Sequence, residues 1–396
     1  LNSRRKSRVY VFVSELQLPM RSPRSGLEMG INQIATLIMA VAAVSLAGWG
    51  PRAQAWDAPV PGSRYLNARA LGMGGVYIEQ ADDAASSLFY NPAGIGKIRG
   101  FQFEPINVQL QADQGLLGSL GASSLKFPTF ADYRSTVAND PGVYHGASLS
   151  LAPALSFRGF ALGVLYHQSA AARAEDDGTF TVRGHRELVP AAGFALRLAG
   201  GVFRIGYSGQ YVSKTEGEET GVPADSAREW HDGFAQGAGI SHNLGLALTL
   251  PWNFSPSFNF VARNIGGLAF SRDPIMSLAN DSIGAPADVP ATYDLAYGMH
   301  FKLGSGGGVH VAAEYRDLIG ASGESILSRT ALGIEVDLGS KFQIRGGVGA
   351  ARLSYGVGYR GRKSDLQLVW YGEDWGPGLL TNGDPRWALQ WRARLF

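Results

Sequence analysis

The sequence predicts an all-β fold, a transmembrane antiparallel β-barrel of about fourteen strands with a small N-terminal plug in its lumen. Three observations carry that reading. Segment after segment alternates apolar and polar residues with period 2. The connections between these segments alternate between short Gly-rich turns and long polar loops. Apart from one N-terminal stretch, no run of about 18 apolar residues exists, so a helical membrane span is not available.

The alternation is plainest in ATYDLAYGMHFKL, residues 291–303. Ala291, Tyr293, Leu295, Tyr297, Met299, Phe301 and Leu303 share one face, and Asp294, Gly298, His300 and Lys302 the other. Phe203, Ile205, Tyr207 and Tyr211 likewise oppose Arg204, Ser208 and Gln210. Leu332, Ile334, Val336 and Leu338 oppose Gly333, Glu335 and Asp337. Strands are expected at 101–112, 144–157, 159–168, 179–198, 202–214, 230–250, 257–265, 291–303, 309–317, 329–338, 341–349, 352–361, 364–372 and 386–396. A polar face of Gly, Ser, Arg and Glu cannot fill the dry core of a sandwich or propeller, but it suits a wet or plugged lumen.

Long loops are expected at 113–143, 169–178, 215–229, 266–290, 318–328 and 373–385, with short turns on the other side; only the connection at 349–352 breaks the rule. Short turns at one end and long loops at the other is the construction of outer-membrane barrels. An even strand number puts both termini at the short-turn end, and closure leaves no unpaired edge in lipid. Trp252, Phe254, Trp370, Trp375, Trp387 and Trp391 read as interfacial girdles.

The N-terminus reads as a targeting segment. Arg21 and Arg24 follow Met20, Ile34–Ala47 is apolar, and Ala53-Gln54-Ala55 offers a small-residue cleavage site. A cleaved signal peptide is expected to end at Ala55, with Leu1–Pro19 an upstream extension arising from gene calling; a membrane anchor is the alternative. The expected organisation is residues 1–55 extension and signal peptide, 56–100 plug, and 101–396 barrel.

The stretch GMGGVYIEQADDAASSLFYNPAGI, Gly72–Ile95, is too punctuated for a strand. Gly72, Gly74 and Gly75 permit close backbone approach and unusual φ. Asn91-Pro92, followed by Ala93, starts a turn. Asp82 and Asp83 offer carboxylates to lumen-facing arginines such as Arg204, Arg316, Arg345, Arg352, Arg360, Arg392 and Arg394. Such pairs would hold a plug and remain breakable.

This stretch, with its Gly-rich start, Ala-Asp-Asp-Ala and Asn-Pro-Ala, resembles the N-terminal region of FadL-type and PorV-type outer-membrane barrels. FNFVARNIGG (Phe258–Gly267) and AAEYRDL (Ala312–Leu318) are similar to recurring pieces of that superfamily. The resemblance implies a fourteen-stranded barrel with a hatch containing the Asn-Pro-Ala, in the outer membrane of a Gram-negative, double-membraned bacterium. It also implies either passage of hydrophobic molecules such as long-chain fatty acids or, in PorV-like relatives, binding and shuttling of exported proteins. Expected partners are outer-membrane lipids, one of those two cargoes, and the barrel-assembly machinery during biogenesis. The chain departs from the pattern in two respects. Phe396 falls on the polar phase of the last strand, which requires a bulge or frayed end, and the outer loops are short for a fatty-acid transporter.

Composition excludes other classes. The 396 residues carry a net charge of +2 with 17% charged residues, which is too balanced for a nucleic-acid binder. Cysteine is absent, so no disulfide or thiolate metal site is possible. Gly356–Gly361 matches G-x-G-x-x-G, but inside an alternating strand with no helix to follow. No nucleophile is paired with a base, and no enzyme, cofactor or metal site is expected. His145, His167, His242 and His310 read as lumen or loop residues, and Asp176–Asp177 and Glu216–Glu219 as acidic loop clusters. Arg345, Arg352, Arg392 and Arg394 are candidate docking groups for a ligand carboxylate, the alternative being that they balance Glu314, Glu335, Asp337, Asp365 and the plug aspartates. Leu116, Leu117, Leu120, Leu125, Phe127 and Phe130 give the loop at 113–143 the apolar content of a ligand vestibule or a docking patch.

Overall fold

Alternation of small turns and long loops around a period-2 pattern produces a closed antiparallel sheet of fourteen strands. In the computed structural model of the chain the described residues are 65–114, 116, 130–226, 233–271, 274–279, 281–304, 306–350, 352–374 and 383–395. The expected signal peptide, Phe396, Trp375, Leu117, Leu120, Leu125 and Phe127 lie outside them.

Strand β1 (Gln102–Glu104 and Ile106–Asp113) is interrupted at Pro105, which has no N–H to give to a ladder. Strand β2 (His145–Leu151 and Ala154–Phe157) is interrupted at Ala152–Pro153, where Ala152 N–H still reaches Asn107 O and Pro153 O accepts from Val164 N–H. There follow β3 (Phe160–Ala174), β4 (Phe180–Leu198), β5 (Phe203–Val222), β6 (Ala235–Thr249), β7 (Ser257–Arg263), β8 (Thr292–Leu303) and β9 (Gly307–Tyr315). The circle is completed by β10 (Thr330–Leu338), β11 (Phe342–Gly349), β12 (Arg352–Arg360), β13 (Ser364–Asp374) and β14 (Gly383–Ala393). Each strand pairs with its sequence neighbour, and β14 closes on β1 through Gln390 opposite Gln109 and Leu389 opposite Leu110. All fourteen fall on the expected segments. Among the described residues no helix is long and apolar enough to cross a membrane.

The outward face is apolar and exposed: Phe194, Leu196, Phe258, Leu295, Ile344, Leu353, Val357, Leu389 and Trp391 all point away from the lumen. Aromatics gather at its edges, with Trp252, Phe254 and Phe301 in contact at the short-turn end and Tyr355 stacked on Trp370 at 4.6 Å toward the long loops. The inward face carries Gln109, Ser208, Asn259, Asp294, Glu314, Glu335, Arg345 and Gln390, all buried.

Two expectations change. Strands β3 and β5 run to Ala174 and Val222, so Glu216–Glu219 lies in a strand and not in a loop. Outward positions of these extensions, among them Ala170, Ala172, Thr215 and Gly217, are mostly small or polar because loop residues rather than lipid cover them. Leu116, Phe130 and Val137 do part of that covering, packed with Ala112, Ala147, Ala170 and Ala172. Leu116 and Phe130 are therefore buried against the outside of the wall rather than displayed. Phe130 begins the helix Phe130–Ala138.

Residues 65–100 lie inside the barrel as helix α1 (Ala68–Gly72), helix α2 (Ala84–Phe89) and a 3-10 turn (Pro92–Lys97). Asp83 caps α2 in a capping box with Ser86, and Asn91 caps the 3-10 turn by accepting from Ala93 N–H at 3.1 Å. Glycines on the wall admit this segment. A Cβ on Gly206 would strike the Pro92 carbonyl, and one on Gly349 would strike Gly74. Gly74 itself has φ 70°, where an L side chain is strained, and its backbone lies against Val348.

Gly206→Val is expected to give a barrel that closes, seen as heat-modifiable electrophoretic mobility, but with the inner segment displaced. Overpacking of this kind costs about 1–3 kcal/mol. Limited proteolysis should then cut near residues 85–99 in the variant and not in the parent; equal protection would refute the contact.

Candidate functional site

The strands present polar partners to many groups of the inner segment. Glu314 on β9 accepts from the N–H groups of Tyr77 (2.9 Å) and Ile78 (3.0 Å). Arg263 on β7 donates to Phe89 O (3.2 Å) and Tyr90 O (2.6 Å) and is oriented by Asp294 at 2.6 Å. Leu88 O accepts from Ser208 Oγ and Gln210 Nε2 on β5. Asn91 donates to Asn259 Oδ1 at 3.2 Å, while Pro92 and Ala93 lie against Gly206 and Gly245. Gly74 N–H donates to Ser354 Oγ at 2.8 Å, and Gly72 packs on Val369. Gly75 has φ 84° beside Arg316.

Three ionic clasps fasten the segment to β9–β14. Arg69 bridges Asp82 and Glu335, each at 2.8 Å, and Glu335 is shared with the fully buried Arg345. Asp83 pairs with Arg392 at 2.5 Å, and Arg392 and Arg394 both pair with Asp365. Glu79 Oε2 meets His310 Nε2 at 2.5 Å while Ser257 Oγ donates to its other oxygen at 2.9 Å; Gly298 leaves room for its stem. Burial works to raise the Glu79 carboxyl. The charges of His310 and Lys97, with hydrogen bonds from His310 and Ser257, outweigh it and hold the group far below the usual carboxylate range.

Of the candidate docking arginines, Arg345, Arg392 and Arg394 thus sit on carboxylates of the chain itself. Arg352 lies at the long-loop end of β12 beside Gly372. His167 and His310 are buried on the inward face, but His242 is outward, its Nδ1 2.7 Å from the hydroxyl of Tyr207. The sequence reading did not find Glu79, Arg263 or Glu314 as clasp residues. A signal existed: Asn259 and Arg263 lie in FNFVARNIGG and Glu314 in AAEYRDL, the pieces that resemble recurring superfamily segments.

Beside the clasps runs an apolar band. Tyr65, Tyr77 and Tyr90 of the inner segment pack with inward Leu165, Val189, Val212 and Val261, and with Leu268, Phe270 and Val289 of the loop after β7. That loop completes the wall. Strand β7 ends at Arg263, well short of the top of β6, and the free edge of β6 is paired instead through Ala238 with Ser271, while Leu268 pairs with Val289.

A closed barrel, apolar outside and polar inside, whose lumen is filled by its own N-terminal segment, is a plugged transmembrane barrel. Among solved structures it is similar to a Pseudomonas aeruginosa FadL homologue, with 12% identity, TM-score 0.49, and 86% of this chain and 99% of that one covered. It is also similar to the P. putida toluene transporter TodX (12% identity, TM-score 0.43, 82% and 97% covered). The monoaromatic hydrocarbon channel CymD gives 10% identity, TM-score 0.44, and 86% and 98% covered. No protein-family model and no characterised protein matches the sequence.

Two outcomes follow for planar-bilayer conductance. Asp83→Asn keeps a capping side chain and removes a buried charge, whereas Asp82 is half exposed. Asp83→Asn alone should therefore raise conductance nearly as much as Asp82→Ala with Asp83→Ala; an effect confined to the Asp82 change would contradict the assignment. A carboxyl whose pKa falls on docking stabilises the docked state above its free value, about 4.3, and loses that contribution as pH falls through the docked value. Glu79→Gln should raise conductance at neutral pH, and the parent should match it only in acid well below about pH 4.

Proposed function

We propose that the chain resides in the outer membrane of a double-membraned bacterium and passes small, uncharged hydrophobic molecules, without catalysing a reaction on them. The observation that supports this is the apolar band inside an otherwise polar lumen. It joins the plug aromatics Tyr65, Tyr77 and Tyr90 to Leu268, Phe270 and Val289 beneath an outer loop. A general porin for polar solutes needs an open aqueous lumen, and the segment 65–98 occupies it. Long-chain fatty acids fit less well, because three of the four candidate arginines, Arg345, Arg392 and Arg394, are paired with Glu335, Asp83 and Asp365. The exported-protein reading drew on the loops at 113–143 and 266–290, and of the first Leu116 and Phe130 are buried against the wall, while the second keeps Ile275 and Ile283 exposed.

The test is entry of an apolar fluorophore into liposomes carrying the protein. The parent should speed entry over protein-free liposomes. Leu268→Asp, which puts a charge into the band, should abolish the gain while leaving ion conductance unchanged. Equal rates with parent protein and with none would overturn the proposal.

A further inference from the structure

We propose that the outer wall at β4–β6 holds a binding site for one acyl chain of an anionic membrane lipid. Gly206 and Gly245 touch the inner segment, so period 2 places Tyr211, Ser213 and Thr215 of β5, and Ala238 and Ile240 of β6, on the outward face. Tyr211 stands opposite Ile240, Ser213 opposite Ala238, and Thr215 between Gln236 and Arg186 of β4.

A cavity of about 530 Å³ opens on this face, with Tyr211, Ala238, Ile240, Ala269, Ser271 and Ile275 among its lining. That volume lies within the range of pockets that bury small molecules, about 300–1,000 Å³. Its roof is the stretch 274–279, held down by Ile275 N–H to Tyr211 Oη (2.8 Å), Ser213 Oγ to Met276 O (2.7 Å) and Arg186 to Leu278 O (2.6 Å). Ile240 and Ile275 are exposed at 59% and 85%.

Depth and charge select the occupant. Strand β5 begins at Phe203, and a tilted strand crosses the hydrocarbon in about 9–11 residues, which puts Tyr211 at its outer boundary. The apolar lining is thus continuous with the lipid-facing band, and Arg186 stands just beyond, at the level of headgroups. Arg186 has no carboxylate partner among the described residues, and its Nε is buried without a hydrogen bond. A guanidinium so placed matches a lipid phosphate, to which arginine donates in a fork, while the pocket below takes the chain.

The experiment is native mass spectrometry of the full chain from micelles containing equal phosphatidylglycerol and phosphatidylcholine with the same acyl chains. The parent should retain one phosphatidylglycerol in preference. Arg186→Gln should lower that preference about tenfold, as loss of a charge-assisted contact implies. Ala238→Trp, which fills the pocket from its floor, should remove both lipids, with Ile240→Trp as a second filling variant and heat-modifiable mobility as the check on folding. Equal retention of the two lipids by the parent, an unchanged preference in Arg186→Gln, or full retention in folded filling variants would each overturn the site. Loss of fluorophore entry in Ala238→Trp without lipid preference in the parent would instead assign the pocket to the transported molecule. The lipid site does not depend on the proposed transport, because Leu268→Asp acts inside the wall and leaves Arg186 untouched.

Discussion

A bilayer offers no hydrogen bonds, so every backbone N–H and C=O that enters it must be paired within the chain. The seam between β14 and β1 is where that demand is met for the last time, and the rest of the architecture depends on it. Closure removes the edges of thirteen sequential pairings. It also lets strand lengths differ without penalty once a strand leaves the hydrocarbon: β4 and β5 run to Leu198 and Val222 over 19 and 20 residues, β7 over 7. Where β7 stops, the edge of β6 would stand open. The chain answers with its own loop, whose Ser271 amide and carbonyl pair with Ala238 and whose Gly284 carbonyl accepts from Gln236 N–H, an irregular ladder. The same physics that closes the barrel thus makes one stretch of wall out of loop.

Inside, the constraint is volume. The inner segment approaches so closely at Gly206, Gly245, Gly347 and Gly349 that no side chain fits between it and the wall. Backbone groups of the segment then fall within reach of Glu314, Arg263, Ser208 and Ser354, and no long helix is needed to satisfy them. Asn91 takes both tasks at once, capping the 3-10 turn and bonding across to Asn259.

The strands were legible because lipid enforces a strict alternation, and fourteen apolar stripes survive in the sequence wherever lipid touches the wall. The alternation fades where Ala170, Ala172, Thr215 and Gly217 face loop residues, and there the expected strand ends came too early. The inner segment was legible from Gly74, Gly75 and Asn91-Pro92, which need special backbone geometry. Its fastenings were legible only in part. Asp83 with Arg392 is the kind of pair the composition of the two stretches suggests, but Glu79 with His310 joins residues far apart in sequence, and nothing local marks Glu79 from any other glutamate. The arginine-rich inward face looks the same whether its charges await a ligand or already hold Glu335 and Asp365. Only the register decides, since it sets Glu335 directly opposite Arg345 and Asp365 opposite Arg392.

The two sides of the inner segment are held by forces of different character. Toward β9–β14 the contacts are buried ion pairs, and removing one partner leaves an uncompensated charge, which costs about 3–5 kcal/mol. Toward β3–β7 they are apolar contacts of Tyr65, Tyr77 and Tyr90 with Leu165, Val189, Val212 and Val261, together with uncharged-acceptor hydrogen bonds from Ser208, Gln210 and Arg263 to the carbonyls of Leu88, Phe89 and Tyr90. Apolar contacts are non-directional, and a hydrophobic molecule entering between the surfaces buries as much area as it displaces. A hydrophobe can replace the apolar share of the contacts toward β3–β7, whereas nothing about it can replace the carboxylate of Asp83 or Glu335, or the hydrogen bonds from Ser208, Gln210 and Arg263. Under the proposed function, the apolar band beside the loop-closed stretch of wall is where the segment would yield first, with the ion pairs on the other side keeping it in the lumen.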